Sequence, residues 1–243
     1  MSVQPISLVP TKVTAENHSA LLYRIIYLVL GLWLVIVIGF SVFQPIKVLP
    51  RVNLAPGFVM TNQSGERRTS EDYRGKLTLY SFFYSKCLIN CPPVMDELRD
   101  LRAAFDAIDR STTEIGIVTI SLDPVNDTPQ VLNQFMSRYQ SVSGKNTSWD
   151  FLTGNQARLK NIVGGGFNVY YDAPSGSQNS QVKFDPHFVL VDGWGIIRAD
   201  YPGYLFDQKI VIRDINYLIS EIKNSKGVGR YAYEAAHLFR CYP

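Results

Sequence analysis

From Ile25 to Phe43 the chain carries no charged residue: Ile-Ile-Tyr-Leu-Val-Leu-Gly-Leu-Trp-Leu-Val-Ile-Val-Ile-Gly-Phe-Ser-Val-Phe. A run of about 19 apolar residues matches the roughly 20 that a helix needs to cross the hydrocarbon core of a bilayer. Tyr23, Tyr27 and Phe43 stand near its ends, where amphipathic rings favour the membrane interface. A cleaved signal peptide is the alternative. Its apolar region spans about 7–15 residues and ends at a small-x-small site. This run is longer, and Gln44-Pro45-Ile46-Lys47 offers no such site, so an uncleaved anchor over 21–43 is expected. Lys12 and Arg24 before the span balance Lys47 and Arg51 after it, so charge does not orient it. A short tail followed by a large domain suits a signal anchor whose domain lies on the exported side.

The remainder divides into a polar tail (1–20), a linker (44–54), a folded domain (55–224) and a C-terminal tail (225–243). Pro45, Pro50 and Pro56 give the linker an extended, semi-rigid character. Phe58-Val59-Met60 before the Asn62-Gln63-Ser64-Gly65 turn reads as a hairpin. Leu77–Tyr84 has the aromatic bias of a buried strand, and Ile115–Leu122 is β-branched and apolar. Between them, Val94, Leu98, Leu101 and Phe105 recur at helical steps across 92–108. Asp127-Thr128-Pro129 opens a helix, with a capping side chain and a proline in its first turn. A further helix ends at Gly164-Gly165-Gly166, Val169-Tyr170-Tyr171 and Phe188–Val191 read as strands, and 208–222 is a final amphipathic helix. Alternating strands and helices predict an α/β domain around a central sheet. The net charge of +3 comes without a basic block, so nucleic acid is not an expected partner.

Chemistry concentrates at Cys87 and Cys91, between a buried strand and a helix start marked by Pro92-Pro93. Near a helix N-terminus a thiol loses its proton more readily, and thiolate both binds soft metals and attacks disulfides. Spacing of i, i+4 brings two sulfurs to one side, where they can share one ion. Two buried structural cysteines, or a standing disulfide in an exported domain, are the plainer readings. Two thiolates rarely complete a metal shell, so a nitrogen donor is sought. Of three histidines, His18 precedes the span and His237 lies in the tail, which leaves His187 at the start of a strand. Cys241 reads as an unengaged thiol, Met95 as core, and Asp123, Asp127 and Pro129 as loop-closing and helix-capping residues.

These motifs resemble the Sco/SenC family of copper-handling assembly factors for cytochrome c oxidase. The stretches concerned are Gly75-Lys76-Leu77, Phe82 through Cys91-Pro92, Ser121-Leu122-Asp123-Pro124-Val125-Asn126-Asp127-Thr128, Trp149 through Gly154, and Asn168-Val169-Tyr170-Tyr171. The resemblance spans about Leu54 to Ile222. It implies a thioredoxin-like domain, a central mixed sheet with helices on both faces, behind one transmembrane helix. It also implies a copper ion held by Cys87, Cys91 and a histidine, here His187. The implied client is the copper-bearing subunit of cytochrome c oxidase or another respiratory-complex subunit, with the lipid bilayer holding the N-terminal helix. Where the family commonly reads Cys-Pro-Asp-x-Cys, this chain has Leu88 and Ile89. The family's histidine slot, counted back from Asp192, holds Phe184, and His187 falls three residues later. Pro186 through Asp192 also resembles the cis-proline strand of TlpA/ResA-type thiol-disulfide reductases. Two rival functions follow: a membrane-tethered thiol-disulfide oxidoreductase, in which Cys87 attacks and Cys91 resolves, and a structural subunit of a respiratory complex. A peroxiredoxin is not expected, since Tyr84 stands where its threonine would be.

Overall fold

The computed structural model describes residues 16–43, 46–87, 91–139, 146–172, 182–203 and 206–239, without the side chains of 16–19, 40–43, 91–93 and 239. The chain falls into two units, Met1–Pro45 and Ile46–Pro243. The first contains helix α1, Glu16–Phe43. Its stretch Ala20–Gly39 is 20 residues long, apolar, and has no buried residue. At 1.5 Å per residue that stretch is about 30 Å long, the thickness of a bilayer core. The helix is compatible with a membrane anchor.

The second unit is built on an eight-stranded mixed sheet. Its strands are β1 (Asn53–Leu54), β2 (Val59–Asn62), β3 (Arg67–Thr69), β4 (Lys76–Phe83), β5 (Glu114–Ser121), β6 (Ser148–Thr153), β9 (His187–Val191) and β10 (Ile196–Pro202), in the order β1-β10-β9-β4-β5-β6-β2-β3. Strands β7 (Tyr171–Asp172) and β8 (Lys183–Phe184) form a separate antiparallel pair. β4, β5 and β6 run parallel, and the other pairings are antiparallel. Residues Leu77–Phe83 of β4 and Ile115–Ser121 of β5 are all buried, so these strands are covered on both faces, as continuous apolar runs require. Parallel neighbours need crossovers. Helix α2 (Cys91–Phe105) links β4 to β5, and α3 (Pro129–Ser137) links β5 to β6. The expected hairpin is β2–β3. Its turn is closed by the Asn62 Oδ1, which accepts from the Ser64 and Glu66 amides at 3.0 and 2.9 Å, with Gly65 at φ 82° where a side chain would be strained. The expected helix ending at Gly164–Gly166 is a short α4 (Gln156–Leu159) widening into π-helical turns over Lys160–Gly166.

Two segments read as linker and tail carry structure of their own. Val48 and Leu49 are buried, and the Arg198 guanidinium donates to the carbonyls of Leu49 and Pro50 at 2.9 and 3.1 Å. Residues 229–239 form helix α6 (Gly229–Phe239), beside α5 (Gln208–Asn224). Arg51 reaches Glu234 of α6, and the His237 Nε2 lies 3.1 Å from the Glu221 carboxylate on α5. At the centre of this region Arg198, 3% exposed, bridges Asp192 at 2.9 Å and Glu221 at 2.8 Å. Burial pushes the Glu221 carboxyl up, but hydrogen bonds from His237 and Arg198 outweigh it and hold it below the ordinary glutamate value.

Removing one member of a buried charged set leaves the others uncompensated. Arg198→Ala is expected to cost about 3–5 kcal/mol in denaturant unfolding. A loss under about 1 kcal/mol, the range of exposed pairs, would contradict the assignment of Arg198 as the charge that holds strap, sheet and helix together.

Candidate metal and redox centre

β4 ends at Phe83, and the chain turns at once: the Cys87 amide donates to the Tyr84 carbonyl at 3.1 Å. Helix α2 opens at Cys91. The cysteine pair therefore brackets the strand-to-helix junction at the C-terminal end of a central strand. Leu88, Ile89, Asn90 and the side chain of Cys91 lie outside the described residues. Cys87 is 8% exposed and disulfide-bonded. The structure thus shows this thiol in its oxidised state, without a thiolate to offer. Met95 is fully buried with Leu98 and Leu101, as a core residue.

The turn is gripped from the β5 side. The Asp127 carboxylate accepts from the Ser85 amide at 3.0 Å, from the Ser85 hydroxyl, and from the Ser121 hydroxyl at 2.5 Å. It is wholly buried, and burial raises its pKa above the ordinary aspartate value against the pull of those hydrogen bonds. Beside it, Lys86 donates to the Asn126 side chain at 2.8 Å, and Asn126 donates to Asp123 at 2.7 Å. The expected helix start, with a capping side chain and a proline in its first turn, is found. Thr128 caps α3 through its hydroxyl, Pro129 stands in the first turn, and Asp127 faces the cysteine turn instead. Two adjacent polar residues precede the proline, and local pattern does not reveal which one caps and which one turns inward.

His187 opens β9, which is antiparallel to β4 with Phe188 opposite Ser81. That register brings His187 to the end of the sheet where β4 delivers Cys87. The His187 Nδ1 lies 3.1 Å from the Asp185 carbonyl, which can only accept, so Nδ1 is the donor in that contact. Nε2 is 4.0 Å from the Asp200 carboxylate. Burial raises the Asp200 pKa, and the adjacent His187 opposes that rise. Phe184 packs edge-on against Tyr84, three residues before Cys87, with ring centroids 6.1 Å apart. Burial, and then Asp123, raises the pKa of the Tyr84 hydroxyl. Among the described residues every peptide bond is trans, that of Pro186 included, so the cis-proline geometry suggested by the reductase-like stretch is not found. His237, set aside as a tail residue, is engaged with Glu221.

The SCO1/SenC family profile matches residues 48–220. A SCO1 protein homolog of Bacillus subtilis (strain 168) is 31% identical over 147 residues, 60% of this chain and 72% of that protein. The solved structure of BsSco, described as a member of the Sco family of cytochrome c oxidase assembly proteins with a disulfide switch, superposes with a TM-score of 0.59. It is 28% identical and covers 71% of this chain and 98% of its own. Copper-bound yeast Sco1 superposes with a TM-score of 0.58 at 21% identity, covering 79% and 100%, a likeness of fold. The thioredoxin-like arrangement expected from the motifs is the arrangement found.

A chain with three cysteines and Cys87 in a disulfide has one thiol left. Thiol titration of the denatured, unreduced chain should therefore count one, and three after reduction. Counting three before reduction would contradict the disulfide, and Cys241→Ser should lower the unreduced count to none if Cys91 is the partner.

Proposed function

Because this chain belongs to the SCO1/SenC family, we propose that it is a membrane-anchored copper metallochaperone for cytochrome c oxidase assembly, working through Cys87 and Cys91. Its domain is placed on the exported side, and its client is the copper-bearing subunit of the oxidase or another subunit of a respiratory complex. The observation that carries this reading is the place of the pair, at the junction of a central strand with the positive end of α2. With Cys91 as the partner of Cys87, reduction of the disulfide takes two electrons and two protons from a thiol reductant and yields two thiols. As thiolates these give copper, the cargo, two soft donors.

His187 fits as the third donor. A ligating imidazole commonly gives its second N–H to a carbonyl or carboxylate, which fixes tautomer and ring orientation. With the Asp185 carbonyl accepting from Nδ1–H in that manner, Nε2 is the nitrogen left to face a metal. The Asp200 carboxylate beside Nε2 is the group that copper would displace. Phe184, in the family's histidine slot, lies against Tyr84 and supplies no donor.

The disulfide at Cys87 favours a second reading, a tethered thiol-disulfide oxidoreductase. In it Cys87 thiolate attacks a client disulfide, and Cys91 thiolate then displaces the client thiol as the internal disulfide forms. Anaerobic Cu(I) and Cu(II) titration of the reduced full chain separates the two. One equivalent should bind with the thiols, Cys87→Ser should abolish it, and His187→Ala should weaken Cu(II) by more than the roughly 10- to 100-fold typical of losing an outer-shell partner. Cu(I), content with two thiolates, should be held better. Weak copper binding by both wild type and His187→Ala, with a changed thiol potential in the variant, would overturn the chaperone reading and favour the oxidoreductase.

A further inference from the structure

We infer that Asp127 is a positioning residue for the Cys87 turn, holding the sulfur's backbone in one place for disulfide closure and for copper. This rests on Cys87 and Cys91 being the working pair.

The parallel ladder of β4 and β5 runs out just before the site. Its last step is the Leu122 amide on the Phe83 carbonyl at 2.7 Å. Beyond it the chain leaves the sheet, and among the described residues no strand pairs with the next turn. An amide in that position needs another acceptor, because an unpaired buried N–H costs free energy comparable to a lost hydrogen bond. Asp127 provides it. Its two oxygens lie 3.3 and 3.0 Å from the Ser85 amide, and the Ser85 hydroxyl donates to the same group. Ser85 stands two residues before Cys87. The carboxylate is itself fixed by the Ser121 hydroxyl at the end of β5, so the turn is pinned to the sheet through one side chain.

A loop that only needed closing has cheaper means. The 123–128 loop already closes on its own backbone, with the amides of Asn126 and Asp127 on the Asp123 carbonyl at 3.1 and 2.9 Å. A wholly buried carboxylate carries a desolvation cost, seen in its raised pKa. Hydrogen bonds to a charged acceptor are the stronger and more directional kind, and two of its donors come from the cysteine turn. The structural expense is therefore spent on the turn. A fixed turn keeps the Cys87 sulfur near its partner before any bond forms, which raises the effective concentration of one thiol at the other.

The test uses the full-length chain in detergent, equilibrated with glutathione buffers. Closing the pair releases two electrons and two protons, and oxidised glutathione accepts the electrons as it becomes two thiols. For Asp127→Ala the disulfide formation constant should fall about tenfold, about 30 mV for this two-electron couple. Asp127→Asn, which keeps one acceptor oxygen, should stay within about threefold of wild type. Exchange of the Ser85 amide proton should quicken at least about tenfold in Asp127→Ala. Wild-type glutathione equilibrium together with wild-type Ser85 exchange in Asp127→Ala, whatever its melting temperature, would overturn the inference. If that variant does not fold, Ser85→Ala serves: a fall of about threefold supports the inference and an unchanged constant overturns it. A wild-type pair that neither exchanges with glutathione nor takes up copper defeats the functional reading, and Ser85 exchange in Asp127→Ala then decides alone whether Asp127 holds the turn.

Discussion

Parallel strands cannot be joined by a tight turn, and that constraint shapes the molecule around β4. Because β4 and β5 pair in parallel from Lys76–Glu114 to Phe83–Ser121, the chain leaving β4 must turn out of the sheet and return through α2. The exit lies at the end of a strand buried on both faces, so it is held on a rigid base. It also abuts a helix N-terminus, where unpaired amides favour negative charge. A cysteine pair placed there gains a fixed backbone and a field that favours thiolate. Functional chemistry at the carboxyl ends of parallel strands is a general outcome of this geometry.

The same sheet reaches its other partners through buried charge. Arg198 on β10 joins Asp192 after β9, Glu221 on α5 and the Leu49–Pro50 backbone strap. Glu221 passes the connection to His237 of α6. One guanidinium, with several donors in a planar fork, satisfies groups from three segments, the 49–50 strap, Asp192 and Glu221. These contacts turn the residues after the apolar helix into part of the domain. They also engage His237 with the Glu221 carboxylate.

Legibility in the sequence followed the range of the interaction. The β2–β3 hairpin was readable because Asn62 and Gly65 make a turn within five residues. Strands β4 and β5 were readable as continuous apolar runs buried on both faces, and helix α2 because its buried residues recur at the helical period. The cysteine pair was readable from its place between two such elements. Asp127 was not, because the partner that matters, Ser85, is 42 residues away. Helix α6 was read as a tail since its anchors, Arg51 and Glu221, are themselves distant. Phe184 was seen by counting to fill a histidine slot, yet its packing on Tyr84 depends on the β7–β8 pair, whose strands are too short to leave a period.

X-ray absorption spectroscopy on the reduced, copper-loaded full chain tests the central claim most directly, since it reads the donor atoms themselves. The account predicts a copper shell with two sulfur scatterers and, in the Cu(II) form, an imidazole signature that His187→Ala removes. A shell of nitrogen and oxygen alone, or one unchanged when Cys87 is replaced by Ser, would contradict it.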